Sequence, residues 1–322
     1  MTLPSQAPPP AATVQVVTNE SDKKPGKKAN KPKLYREKPW RSRRAFDMNR
    51  PTFGGLMFRY LLIAILLFIS IGPFVWQLST SFKGFEDIYS FPPNIIPEDP
   101  TLRAYETVNV IIPIYRFALH SLLVAGGTVI SNVILATLAG YALGCLKFRG
   151  RMVVLALFLS TLLLPGEVTL TSQFLIVNSL GLANTLWGVY IPGAIGAINV
   201  LLMMTACRAI PGSILDAAII DGANTIQRIR HIVWPNVRGM ASVVGVMAFI
   251  GSWNDFLWPL IVLSDQTKYT LTVGMAFLDS AIGADPRQIA AGTMIALIPI
   301  IIIFATMQRF FFKGVESGAV KG

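Results

Sequence analysis

The stretch Asp216–Val237 reads DAAIIDGANTIQRIRHIVWPNV and follows the short lead-in IPGSIL at residues 210–215. It lies between two oily segments, and its punctuation is that of two short helices meeting at a bend. Pro211 suits a helix entry, and Ser213 followed by Asp216 resembles a capping box with Asp in the usual place of Glu. Ile214, Leu215, Ala218 and Ile219 fall on one broad apolar face. Gly222 can take the left-handed conformation that ends a helix. A second helix then starts near Asn224 or Thr225 and runs through Ile226, Ile229, Ile232 and Val233 until Pro235 interrupts it. Ala217, Ala218, Gly222 and Ala223 keep the bend free of bulk, so another surface can approach it closely. An amphipathic hairpin lying on a membrane surface without a partner is the other reading of the same pattern.

Outward from this stretch the chain is oily. Hydrophobic residues make up 53% of its 322 residues and charged residues only 14%. Soluble domains carry about 25% charged residues, so the composition indicates an integral membrane protein, and the helical spans below make the expected fold all-α. A membrane helix needs about 20 mainly apolar residues, and six candidates fit: about 58–79, 117–143, 152–172, 185–206, 240–262 and 290–312. Pro165 and Gly166 interrupt the third, Pro192 and Gly193 the fourth, and Pro299 the sixth. Such breaks survive in a membrane where neighbouring helices or water satisfy the freed backbone groups.

Positive charge orients the spans. Of the 28 Lys and Arg residues, 23 fall in the N-terminal segment, the loops 144–151 and 207–239, and the C-terminal end. The opposite side holds Lys83, Arg103, Arg116, Lys268 and Arg287. Both termini and the opening stretch are therefore expected in the cytoplasm. The expected layout is a disordered basic tail over 1–57, a six-helix domain over 58–313 and a C-terminal tail over 314–322. The external loop, about 80–116, is rich in Pro and acidic residues and has room for a short surface helix but no separate domain. The net charge of +11 sits mostly in residues 1–59, which suits a charge-sorted tail and attraction to anionic lipid better than nucleic-acid binding.

Several classes of chemistry have no support. Cys145 and Cys207 form no metal-ligand or redox spacing, and His120 and His231 stand far apart with no second ligand near either. No GxxxxGK[ST] phosphate loop occurs, so the chain does not hydrolyse ATP in the P-loop manner.

The residues Asp216, Ala217, Ala218, Asp221, Gly222, Ala223, Ile229 and Pro235 hold the places of the EAA loop of bacterial ABC-importer permeases. Asp216 stands where Glu is customary, Ile229 where Phe is common and Gly239 where a further Pro often occurs. TSFKGFEDIYSFPP, GYALGCLKFRGR, LPGEVTLTSQF, GLANTLWGVYIP, WNDFLWPLIVL and the ending GAVKG extend the likeness from about residue 58 to the end. The chain thus resembles the MalG-like permease subunit of binding-protein-dependent carbohydrate importers, the maltose-type sugar permease family. The resemblance implies the ABC-importer permease fold, with the 207–239 loop as the coupling helix seated on an ATPase. It also implies the partners: a second, MalF-like permease subunit, two cytoplasmic ATPase subunits and an external solute-binding protein. No cofactor is expected on this chain; ATP and Mg would be held by the ATPase subunits. The expected location is the inner membrane of a bacterium.

Polar groups inside membrane spans are costly and point to function. In GSWNDFLWPL, a continuous helix would put Gly251, Asn254, Asp255 and Trp258 on one face, roughly 10 Å from the span's external end at 262. An aromatic ring beside amide and carboxylate groups suits a sugar. Asn254 and Asp255 equally suit pairing with a neighbouring helix or subunit, and Trp253 and Trp258 an interfacial aromatic belt. Glu167 either lines the external vestibule or is a solvated loop carboxylate. No Lys or Arg lies in the interior of an expected span, which favours a neutral sugar or polyol over glycerol 3-phosphate. An ion-coupled secondary transporter is the remaining alternative; it predicts internal repeats, and none is evident.

Overall fold

The computed structural model describes residues 53–280 and 285–319, so the expected basic tail lies outside the described residues as far as residue 52. Among the described residues every regular element is helical. In chain order the α-helices are α1 Phe53–Phe82, α2 Arg103–Ile111, α3 Ile114–Cys145, α4 Arg151–Leu163, α5 Gly166–Ser179, α6 Leu186–Tyr190, α7 Ala197–Arg208, α8 Gly212–Ile220, α9 Thr225–Arg228, α10 Trp234–Trp253, α11 Leu257–Val262, α12 Leu271–Ser280 and α13 Pro286–Ala319.

Among the described residues, four helices are each long and apolar enough to cross a membrane: Phe53–Phe82, Ile114–Cys145, Thr225–Trp253 and Pro286–Thr306. Two bent pairs raise the number to as many as six. The expected third span is one of them. It is no single rod, because α4 and α5 meet at 110°. Leu164 and Pro165 are both extended at the junction, as a residue before proline prefers. The expected fourth span bends by 42° between Leu186–Gly193 and α7, across Pro192, Gly193 and Gly196.

The expected boundaries shift at two more places. The second span begins at Ile114, after the separate surface helix α2. The fifth does not start afresh after Pro235: Thr225–Trp253 is one continuous 29-residue helix with a π turn at Ile229–Val233. Pro235 offers no N–H to the carbonyl four residues back and crowds it. The wider π turn, placed just before the proline, absorbs that defect within the helix.

The long helix α3 is the central member, packed along α7 and α10; α10 also packs on α7 and α13. Close approach of α3 and α7 follows from a small-residue stripe, Ala136, Gly140 and Gly144. A Cβ at Gly140 would lie 2.8 Å from the Met203 backbone carbon, and one at Gly144 2.9 Å from the Cys207 Cβ. Apolar side chains form two cores along α3. One gathers Phe117, Val124 and Ala125 with α11 and α12; the other gathers Ala136, Tyr141 and Leu143 with α7. Between them α3 buries two polar residues, Thr128 and Asn132.

The outer surface stays oily. Along α1 only Ser79, Thr80 and Ser81 are buried, while Leu61, Leu66, Phe68 and Ile69 are exposed. An apolar helix surface that its own chain leaves bare is one that lipid or another chain must cover.

Candidate functional site

The elbow is built from local signals. Its first arm, α8, starts after Pro211, and no side chain caps it. The expected Ser213–Asp216 capping box is therefore absent: the helix already begins at Gly212, so Ser213 lies inside the first turn. The arm ends in a Schellman motif. The Gly222 N–H donates to the Ile219 carbonyl at 3.1 Å and the Ala223 N–H to the Ala218 carbonyl at 2.9 Å. Gly222 has φ +76°, the left-handed conformation expected for it. The capping box belongs to the second arm. Asn224 Oδ1 accepts the Gln227 N–H at 2.9 Å, and Gln227 Oε1 accepts the Asn224 N–H at 2.8 Å.

The elbow residues divide by burial. Asp216, Ala217, Asp221 and Gly222 are exposed, and Ala218 and Ala223 half-buried, so these six form one bare bend. Beside it Ile220 is 85% exposed and Ile226 76%. Ile229 does not join that surface; it packs inward with Leu215 and Ile232 against the core shared by α3, α7 and α10. Pro235 is exposed but sits in α10, beyond the bend.

The expected helix face Gly251, Asn254, Asp255, Trp258 does not exist, because α10 stops at Trp253 and the chain restarts as α11. The cause is Pro259. It has no N–H for the carbonyl of Asp255, four residues back, and its ring crowds that carbonyl. The helix opens there, and the Asp255 carbonyl accepts the Thr272 hydroxyl instead, at 2.6 Å. The Asp255 carboxylate turns to the new helix start and accepts the Trp258 N–H at 3.4 Å.

The break separates the expected path residues. Asp255, Trp258 and Glu167 line one cavity of about 470 Å³, together with Asn132, Asn199 and Thr169. Asn254 and Trp253 line a second, of about 420 Å³, with Met275 and Leu297. Both tryptophans are buried, so neither forms an interfacial belt. Trp253 stacks on Phe249 and donates its indole N–H to the Ala296 carbonyl at 3.2 Å. Trp258 donates its own to the Gly188 carbonyl at 3.2 Å.

Sequence reasoning missed the centre of the first cavity. Asn132 is 1% exposed and stitches α3 to the broken span between α6 and α7. Its Nδ2 donates to the carbonyls of Thr128 (3.0 Å) and Gly193 (2.9 Å). Its Oδ1 accepts the Gly196 N–H at 2.8 Å and the Asn199 Nδ2 at 2.9 Å. The Gly193 carbonyl and Gly196 N–H are groups that the bend leaves without helical partners. A mid-span asparagine was the available signal. Asn199, 6% exposed, has no hydrogen-bond partner for its Oδ1. Burying such an oxygen unpaired costs about 1–3 kcal/mol.

Electrostatically this cavity is one-sided. Among the described residues that line it, Glu167 and Asp255 are the only charged ones, and none is Lys, Arg or His.

Comparison with known proteins fits this architecture. Residues 136–317 match the family described as binding-protein-dependent transport system inner membrane component. The inner membrane ABC transporter permease protein YcjP of Escherichia coli (strain K12) is 31% identical over 278 residues, covering 85% of this chain and 99% of that protein. The galactooligosaccharides transport system permease protein GanQ of Bacillus subtilis (strain 168) is 30% identical over 283 residues, covering 86% of this chain and 99% of that protein. A chain from the crystal structure of a bacterial ABC transporter for import of the acidic polysaccharide alginate superposes with a TM-score of 0.74. It is 21% identical, over 81% of this chain and 98% of the other. Family match and near full-length relatives agree: the chain belongs to the binding-protein-dependent transport system inner membrane components.

Proposed function

We propose that the chain is one of two permease subunits of an ATP-driven importer for a carbohydrate or polyol. The observation that carries this reading is the bare elbow joined to the cavity by both its arms. The first arm continues back through Ile210 into α7, which begins beside Asn132. The second runs without interruption from Thr225 to Trp253, about 40 Å at 1.5 Å per residue, and ends at the Asp255 break. A push on the bend is thus delivered to two walls of one cavity. Exposed Ile220 and Ile226 give a partner an apolar hold, and the small residues at the bend let it seat closely.

That partner is a cytoplasmic ATPase, two copies of which hold ATP and Mg and perform the hydrolysis. Closure of the ATPase pair moves the elbow as a rigid body, and the bundle alternates the side to which its path opens. A second permease subunit completes the path, and an external solute-binding protein delivers the solute. The positive-charge bias supports placing both termini and the elbow in the cytoplasm. The carbohydrate class is supported by the name of GanQ and by a polar cavity with an indole in its wall. The lack of a cation at that cavity disfavours glycerol 3-phosphate.

Co-expression with the partner subunits tests the proposal. The intact chain retains the ATPase through purification and supports uptake that needs ATP. Gly222→Trp keeps the chain in the membrane but loses uptake. Absence of any retained ATPase, together with unchanged uptake in Gly222→Trp, would refute the coupling role.

A further inference from the structure

We infer that the basic hollow between the end of α3, the start of α4 and the end of α7 holds the headgroup of an anionic phospholipid, with the acyl chains lying along α4. The inference stands apart from the transported solute and needs only that these helices cross a membrane.

A short loop and one helix contact build the hollow. α3 ends at Cys145 and α4 starts at Arg151. Gly150, at φ +86°, turns the chain between them, and the Arg151 N–H reaches back to the Phe148 carbonyl at 3.5 Å. Leu155 and Phe158 then seat α4 on the core that α7 shares, so its first turn comes beside Arg208, the last residue of α7. The resulting cavity of about 610 Å³ is lined by Lys147, Arg151 and Arg208 together with Phe148, Met152 and Val153.

Three cations around one hollow repel one another. Among the described residues no carboxylate pairs with any of them, and none of the three makes a side-chain hydrogen bond. Helix ends account for two of the charges and not the third. Lys147 and Arg208 stand at helix C-termini, where the dipole favours a base. Arg151 is the first residue of α4, where the dipole favours an acid. An anion in the hollow offsets that penalty and relieves the repulsion.

The apolar half of the lining points to the source of the anion. Met152 is 71% exposed and Val153 64%, and α4 buries none of its 13 residues in this chain. At 1.5 Å per residue α4 is about 20 Å long, enough to flank the tails of one leaflet, about half of a 30 Å hydrocarbon core. A soluble phosphate or an acidic protein surface would answer the cations and leave Met152 and Val153 in polar surroundings. A phospholipid answers both. The three cations also repel the ammonium group of phosphatidylcholine, so an anionic headgroup such as phosphatidylglycerol is preferred.

Quenching by brominated lipids provides the test. The full chain with its partner subunits, bimane-labelled at Leu157→Cys, is reconstituted in phosphatidylcholine vesicles. Leu157 is exposed one turn beyond Val153. The parent chain, with Cys145 half-buried and Cys207 buried, gives the labelling background. Brominated phosphatidylglycerol or brominated phosphatidylcholine is then titrated in. Phosphatidylglycerol is expected to reach half-maximal quenching at about a fivefold lower mole fraction, roughly the factor that one cation contributes at a membrane surface. Lys147→Gln with Arg208→Gln removes that advantage, and Lys147→Arg keeps it. Arg230→Gln with Arg238→Gln, which removes the same charge elsewhere, keeps it too.

Equal quenching by the two lipids in the reporter chain overturns the inference. So does an equal loss of preference in the Arg230 and Arg238 pair, which marks a general charge effect. Quenching by neither lipid, or a Leu157→Cys chain that takes no label, shows that another chain covers this face and also overturns it. Inorganic phosphate that abolishes the preference assigns the hollow to a soluble anion instead. Loss of the ATPase from the Lys147 and Arg208 pair, with lipid preference intact, assigns the cations to that partner and sinks the lipid site.

Discussion

Asn132 holds Gly196 by a hydrogen bond of 2.8 Å from the glycine N–H to its Oδ1, and so closes a bend that the backbone of α7 cannot close for itself. The same side chain takes the Gly193 carbonyl at 2.9 Å. One buried amide thereby satisfies a donor and an acceptor that a membrane would otherwise leave bare.

Asn132→Leu keeps the branched outline with somewhat more bulk and leaves the Gly193 carbonyl and the Gly196 N–H without a side-chain partner. The variant should lose about 1–3 kcal/mol, read as a fall in the thermal midpoint of the detergent-purified complex. Thr137→Val, which removes only a hydroxyl bonded within its own helix to Val133 at 2.6 Å, is expected to shift it far less.

Gly140 and Gly126 lie on the same helix but differ in what surrounds them. A Cβ at Gly140 meets the Met203 backbone at 2.8 Å, while one at Gly126 meets nothing within 4 Å. Gly140→Ala should force α3 from α7 and destabilise by about 1–3 kcal/mol. Gly126→Ala should be neutral or stabilising by up to about 1 kcal/mol. Thermal unfolding of the two variants, side by side, checks the difference.

The elbow's hold on its partner is open to charge substitution. Ile220→Glu and Ile226→Glu change side chains that are largely exposed, so the chain should fold as before while the ATPase is lost on purification. Ile229→Glu should instead destabilise the chain, since Ile229 packs against the core. Equal ATPase retention in Ile220→Glu and the parent would exclude that contact.

Gly222, at φ +76°, tolerates Asn better than Ala. Left-handed backbone costs an ordinary residue roughly 1–2 kcal/mol. ATP-dependent uptake should therefore fall in the order Gly222, Gly222→Asn, Gly222→Ala. Membrane abundance, measured in parallel, should be equal for all three.

Pro259→Ala restores an N–H facing the Asp255 carbonyl. Removing the proline should let the helix close from α10 into α11, drawing Asp255 away from the cavity. Transport should drop while the complex still assembles. Thr272→Val, which removes the other partner of that carbonyl, should cost about 1 kcal/mol in stability.

The sequence by itself determined what depends on local chemistry. Apolar runs marked where the long helices lie, because hydropathy over about 20 residues is a property of a segment. The elbow was legible down to the left-handed Gly222 and the helix start at Asn224–Thr225, since a Schellman end and a cap use residues within six positions of one another. Even there the pattern fits Ser213–Asp216 as well as Asn224–Gln227, and only the first helical residue of each arm, Gly212 and Thr225, shows that Asn224 caps its helix and Ser213 does not.

Only the tertiary structure decided the cavity. The partners of Asn132 lie 61, 64 and 67 residues away, at Gly193, Gly196 and Asn199, and no local pattern pairs them. Asp255 and Asn254 are neighbours in the chain yet face different cavities. The proline that parts them was visible in WNDFLWPLIVL. Whether it would end the helix, as Pro259 does, or be absorbed within it, as Pro235 is, depends on what else can satisfy the freed carbonyl. At Asp255 that group is the Thr272 hydroxyl, which packing against a later segment brings within 2.6 Å.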